Sequence, residues 1–229
     1  MKLILFDIDG TLVHVRSDIT AGALHEVVRL GLGHADGPGE VELHGKTDRQ
    51  IMLEICLTLG CGAEEAQARC DVMQDLLMDY WRRHLTGETV RVLPGVHDLL
   101  ERLHGMGNIT LGLLTGNLER GARLKLAPHD LNRFFPFGAF GCDAVERAEL
   151  PPVALRRANE RTNGAFTFQR TLIVGDSHRD IACARAWGIR SLAVATGVLS
   201  AGELALHNPD AICASLAEND YIFEFIQSD

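Results

Sequence analysis

The stretch Leu3-Ile4-Leu5-Phe6-Asp7-Ile8-Asp9-Gly10-Thr11 constrains the fold more than any other part of this 229-residue chain. Leu3 to Phe6 is an unbroken apolar run, which predicts a strand buried on both faces, as in a parallel sheet. The run stops at two carboxylates one residue apart, then Gly-Thr. Charges at the end of a buried strand point to metal binding or chemistry, because burying them without a partner is costly. Ligand sites of open α/β sheets lie at the carboxyl ends of strands. Residues at i and i+2 point the same way along extended chain, so Asp7 and Asp9 can face one reacting centre. Gly10 lets the backbone turn sharply beside them.

The rest of the chain alternates between two characters. Residues 15–88 read as helical: one helix through Leu24, Val27, Val28 and Leu30, which Ser17 or Asp18 could cap, ending near Gly31-Leu32-Gly33. A second carries Ile51, Met52, Ile55, Leu57 and Leu59 up to Gly60, and a third runs from Ala63 to Leu85. From Val90 an α/β rhythm returns. Pro94 suits the first turn of a helix through Val96 and Leu103. Strands are expected at Ile109–Leu114, Phe137–Phe140, Thr171–Val174 and Ser191–Ala195, and Pro151-Pro152 opens another helix. Ser215-Leu216-Ala217-Glu218 has the pattern of a capping box for the last helix. Strands alternating with helices predict a doubly wound parallel sheet.

Two further strand ends carry chemistry. The second core strand ends in Thr115-Gly116-Asn117, where a hydroxyl and free amides at a loop-to-helix junction can cradle phosphate. The alternative is a plain helix cap by Thr115 or Asn117. Another strand ends in Gly175-Asp176-Ser177-His178-Arg179-Asp180. Asp176 can bind Mg²⁺ directly, and Asp180, one helical turn on, can orient that shell. The alternative is a pair of acids that cap a helix start.

Asp7-Ile8-Asp9-Gly10-Thr11 resembles the first motif of the haloacid dehalogenase superfamily, Asp-x-Asp-Gly-Thr in its phosphotransferase members. The strand ending in Thr115 resembles the second motif, and Gly-Asp-x-x-x-Asp at 175–180 resembles the fourth. The third departs from the pattern: its usual Lys before a Pro-containing helix start is missing. Counting back from Pro151-Pro152 puts Arg147 there, and Lys125 is the weaker substitute. Arg147 is then expected within about 2.7–3.2 Å of Asp7 or the phosphate.

The resemblance covers essentially the whole chain and implies a Rossmann-like α/β core at residues 1–14 and 89–229, with a helical cap inserted at 15–88. It implies Asp7, Asp9, Thr115 and Arg147 as catalytic residues. Gly10, Thr11, Gly116 and Asn117 are expected around the phosphate, with Lys46 reaching in from the cap loop Gly45-Lys46-Thr47-Asp48. Mg²⁺ is the expected cofactor, held by Asp7, the Asp9 carbonyl, Asp176 and Asp180. The expected activity is hydrolysis of a small phosphorylated metabolite, as in the phosphoglycolate phosphatase branch. A phosphomutase, a phosphonate hydrolase with Lys46 as its Schiff base, a 2-haloacid dehalogenase and a non-catalytic binding relative are the alternatives.

Bulk properties bound the partners. A net charge of −9 argues against nucleic acid, though a local site can still take an anion. The six cysteines show no C-x-x-C pair, and several fall inside apolar helical patterns, as expected in a reducing cytoplasm. No apolar run is long enough to span a bilayer. Oligomeric state is left open.

Overall fold

Alternation along the first strand decides the layers. A computed structural model of the chain describes residues 1–35, 37–39, 41–162 and 166–228. In β1 (Lys2–Phe6), Ile4 and Phe6 join the hydrophobic cluster on one sheet face, and Leu3 and Leu5 join the cluster on the other. All four are fully buried, so the apolar run is a central strand of a covered sheet.

The other strands are β2 (Val13–Val15), β3 (Val90–Val92), β4 (Ile109–Leu114), β5 (Gly138–Ala139), β6 (Thr171–Gly175), β7 (Arg190–Val194) and β8 (Ala211–Cys213). With β1, five of them form one parallel sheet in the order β5-β4-β1-β6-β7-β8. The helices are α1 (Ser17–Leu32), α2 (Asp48–Thr58), α3 (Ala63–His84), α4 (Val96–His104), α5 (Glu119–Leu126), α6 (Leu150–Thr162), α7 (His178–Ala186), α8 (Ala201–Ala205) and α9 (Asp220–Gln227). Leu99 of α4, Ala122 of α5 and Phe225 of α9 pack on the Ile4–Phe6 face. Ala154 and Ala158 of α6, with Cys183 and Ala184 of α7, cover the Leu3–Leu5 face. This is a Rossmann-like α/β sandwich.

The chain moves from β1 to β4 and β5 on one side, then crosses to β6, β7 and β8 on the other. The strand order therefore reverses beside β1, which opens a crevice at the carboxyl ends of β1, β4 and β6. Register aligns those ends: Phe6 stands level with Leu113 and Val174.

β2 and β3 pair antiparallel and bring Val13–Val15 beside Val90–Val92, so Val90 to Val92 lies outside the main sheet. Between the two strands, α1 and α2 each pack on α3 through Val27, Val28, Met52, Ile55, Met73 and Leu77. Among the described residues no helix is long and apolar enough to cross a membrane.

Local expectations fail at identifiable points. Neither Ser17 nor Asp18 caps α1: Arg16 is the cap residue, and Asp18 pairs instead with the Arg16 guanidinium, Nε to Oδ1 2.6 Å. Pro94 stands just ahead of α4, whose cap is Gly95. The Ser215–Glu218 pattern builds a turn rather than a helix start. Ala217 N–H donates to Ser215 Oγ at 3.3 Å, and Ala214 N–H donates to Glu218 Oε2 at 3.1 Å. Leu216 is buried in the core and the Gly95 backbone packs against Ala217, so this segment must finish turning before α9 begins. The edge strand β8 has three residues, too few to read from the sequence.

Candidate active site

The site is assembled from the loops that follow β1, β4 and β6. Asp7 extends β1 by one residue: its N–H donates to the Val174 carbonyl at 2.9 Å, and the residue is only 5% exposed. Gly10 sits at φ +76°, and a Cβ there would collide with the Asp176 carboxylate. Glycine at position 10 is therefore required twice, by the turn and by the close approach. Thr11 lies behind it, its Oγ1 donating to Asp176 Oδ1 at 3.3 Å.

Asp176 follows β6 and is 1% exposed. Its Oδ2 is buried without a hydrogen-bond donor, and it faces His44 Nε2, which is equally unpartnered, at 3.7 Å. Burial pushes the Asp176 carboxyl well above its ordinary pKa, and the neighbouring Asp7 and Asp180 add to the effect. Burial likewise lifts Asp7 from 3.8 to about 6; Arg147 opposes the shift, and Asp180 and Asp9 reinforce it.

Two cations divide the acids between them. Arg147, in a single turn just before α6, places Nη2 3.0 Å from Asp7 Oδ1 and 2.5 Å from Asp180 Oδ1. Burial disfavours its charge, but Asp180 and Asp7 outweigh that and hold the guanidinium firmly protonated. Asp180 uses its second oxygen to cap α7, accepting from Ser177 N–H at 3.1 Å and Ser177 Oγ at 2.6 Å. Lys125 takes the other acid: its Nζ lies 2.8 and 2.7 Å from the two Asp9 oxygens and 2.6 Å from Asn117 Oδ1. Asn117 Nδ2 also donates to Asp9 Oδ2 at 2.7 Å and to Thr115 Oγ1 at 2.8 Å. Desolvation works against ionisation of Asp9, yet Lys125 and Asn117 prevail and hold its pKa below the ordinary value.

Neither Thr115 nor Asn117 caps α5. Leu118 is the cap residue and no side chain caps the helix; the Leu118 N–H itself donates to Asp48 Oδ2 at 2.8 Å. The Lys46 carbonyl lies so close over Gly116 that any Cβ there would clash with it. Thr47 Oγ1 donates to the Val145 carbonyl at 2.7 Å. The loop ahead of α2 is thus latched to the sheet ends. Lys46 itself turns to Glu54, Nζ to Oε2 2.5 Å, with Glu42 at 3.9 Å.

Asp7, Asp9, Gly10, Lys46, Thr115, Gly116, Asn117, Arg147 and Asp176 all line one cavity of about 1040 Å³; Thr11 and Asp180 stand behind its wall. Sequence reasoning underweighted Lys125 and missed His44 and Asp48. For Lys125 a signal existed: it shares the buried face of α5 with Ala122 and Leu126, and a lysine there needs a counter-charge.

A divalent cation fits this donor set. Ligand oxygens of Asp7, Asp176 and Asp180 all lie within 4.8 Å of one another, and hard oxygen donors suit Mg²⁺. Asp176 Oδ2 still needs a partner. Both oxygens of Asp180 are already engaged, so Asp7 and Asp176 are the better direct ligands.

A model of the haloacid dehalogenase-like hydrolase family matches residues 4–194. The phosphoglycolate phosphatase of Agrobacterium fabrum is 28% identical over 216 residues, which are 94% of this chain and 89% of that protein. The pyrophosphatase PpaX of Oceanobacillus iheyensis is 25% identical over 228 residues, 95% of this chain and 94% of that one. Among solved structures, a predicted phosphoglycolate phosphatase from Haemophilus somnus superposes with a TM-score of 0.71 at 20% identity, covering 97% of this chain and 98% of its own. At that identity the likeness speaks for the fold alone.

Proposed function

This chain belongs to the haloacid dehalogenase-like hydrolases, and we propose that it is a Mg²⁺-dependent phosphatase that hydrolyses a small phosphorylated metabolite through an aspartyl phosphate on Asp7. The observation that carries this reading is the division of the acids between two cations. Arg147 pairs with Asp7 and Lys125 with Asp9, at the end of one strand and against the unpartnered oxygen of Asp176. Residues 15–88 are read as the cap and the remainder as the catalytic core.

Mg²⁺, held by Asp7, the Asp9 backbone carbonyl and Asp176, would neutralise phosphoryl charge. In the first step an Asp7 oxygen attacks phosphorus in line, and the bond from phosphorus to the leaving oxygen breaks. Asp9 in its protonated form delivers the proton that the leaving alkoxide needs, and the second step returns it. In the second step a water attacks the same phosphorus and gives its proton to Asp9, and the bond to Asp7 breaks to release phosphate. The Lys125 pair favours ionised Asp9, which suits it as the base of this second step. Arg147 binds a phosphoryl oxygen while fixing Asp7, and Thr115 supplies a hydroxyl to the same group. Asp180 positions Arg147. Latching of the loop at 44–48 excludes bulk water.

The reading is tested by hydrolysis of a generic aryl phosphate with Mg²⁺. Asp7→Asn is expected to lower kcat by roughly 10³-fold or more. Equal rates in the two proteins would remove Asp7 from its role.

A further inference from the structure

Beyond the carboxylates the cavity continues between the core and the three inserted helices. Its far side is mostly apolar, with Leu24 of α1, Leu43, Ile51 and Met52 of α2, and Leu77 and Trp81 of α3, beside the polar Ser17, Thr20 and His25 of α1. At about 1040 Å³ the whole space reaches the upper end of the range of pockets that hold ligands far larger than a two-carbon acid, roughly 300–1,000 Å³. Its cations are mostly committed. Lys46 is held by Glu54 and Glu42, Lys125 by Asp9, and Arg147 by Asp7 and Asp180. Among the described lining residues, Arg91 is the one lysine or arginine without an ion pair, and it stands exposed on β3 opposite His14.

This wall discriminates by chemistry. A carboxylate on the leaving alcohol that reached Leu24, Ile51, Met52, Leu77 and Trp81 would meet side chains that offer it no counter-charge. An alkyl or aryl body there removes apolar surface from water on both partners. Lys125 also rests over the Trp81 ring, 5.4 Å from its centroid, so the apolar wall begins immediately beside Asp9, where the leaving oxygen would depart.

We infer that the substrate is a phosphomonoester of an alcohol with a sizeable alkyl or aryl body, seated on the α1–α3 wall, rather than of a small carboxylate-bearing alcohol. The inference rests on the phosphatase reading above and adds the class of leaving group.

The experiment measures kcat/KM of the full chain with Mg²⁺ on ethyl, butyl, hexyl and 1-naphthyl phosphate and on 2-phosphoglycolate. The expected result is a rise of about fourfold per methylene buried, with 2-phosphoglycolate among the poorest substrates. Ala21 lines the cavity from an exposed position on α1, so the ring of Ala21→Phe is not forced into packed core. That variant is expected to lower the hexyl-to-ethyl ratio by about tenfold. A flat alkyl series with 2-phosphoglycolate preferred overturns the inference and leaves the phosphatase reading standing. A rising series whose ratio Ala21→Phe leaves unchanged overturns the seat on this wall. Phosphate release from none of the five esters overturns both readings.

Discussion

Asp7 ties pH to stability and, in the role proposed for it, to activity. Its carboxyl is raised to about 6 in the fold against an ordinary 3.8, chiefly by burial. A raised carboxyl binds its proton more tightly when folded, so its contribution to stability is complete below the unfolded value and is lost as pH rises through the folded one. Without metal, urea stability should therefore fall between about pH 4 and pH 6, by on the order of 3 kcal/mol if Asp7 acted alone at 1.36 kcal/mol per pKa unit. Asp7→Asn should flatten that slope and be more stable than the wild type at neutral pH. Mg²⁺ should restore the wild type and leave the variant unchanged. An identical pH slope in the two proteins would mean that Asp7 is not the group responsible. Arg147 makes the complementary case. Arg147→Ala should lower kcat/KM by about 10²-fold or more, roughly 2.7 kcal/mol, while calorimetry still shows Mg²⁺ binding. It also strands two buried carboxylates, so some loss of stability is expected. Arg147→Lys should recover part of the activity, because it keeps the charge without the fork.

At the scale of elements, the latch between the loop ahead of α2 and the start of α5 is the joint to test. Asp48 satisfies the Leu118 N–H, and its own N–H donates to the Gly116 carbonyl at 2.8 Å. Asp48→Ala should cost about 1 kcal/mol in urea unfolding through the lost hydrogen bond to the Leu118 N–H. It should also raise KM more than it lowers kcat, since it loosens the loop and leaves the carboxylates in place. A variant with wild-type KM would make the latch purely structural. The elements differ in how legible they are in the sequence. β1, β4 and β6 are apolar runs closed by Asp, Thr and Gly, and the longer helices show their apolar faces, so both are readable from local pattern, whereas the five-residue α8 is not. The β2–β3 ribbon is not readable: each strand has three residues, and their pairing spans the whole helical insertion. The Ser215–Glu218 turn misleads because one set of side-chain bonds serves a turn or a cap, and only burial of Leu216 decides which. Within the site, Arg147 is reached only through the resemblance, by counting back from Pro151-Pro152 to the place of the third motif's usual Lys. The contacts of Lys125, His44 and Asp48 depend on how far elements meet in space, which no local spacing encodes.

At the scale of the whole molecule, an acidic chain of net charge −9 concentrates Arg147 and Lys125 at a single point where three strand ends converge. The sheet ends hold Asp7, Asp9, Thr115 and Asp176, while α1, α2 and α3 supply the far wall of the same cavity. The covalent step on Asp7 is the claim on which the rest depends, and trapping examines it most directly. Enzyme with Mg²⁺ and a labelled aryl phosphate would be quenched in acid within the first turnover and digested, and its peptides sequenced by mass spectrometry. Phosphate on the peptide that spans Asp7, removable by hydroxylamine and missing from Asp7→Asn, is the expected result. Full turnover with no acyl phosphate on Asp7, or with the label on Asp9 or Asp176, would contradict it.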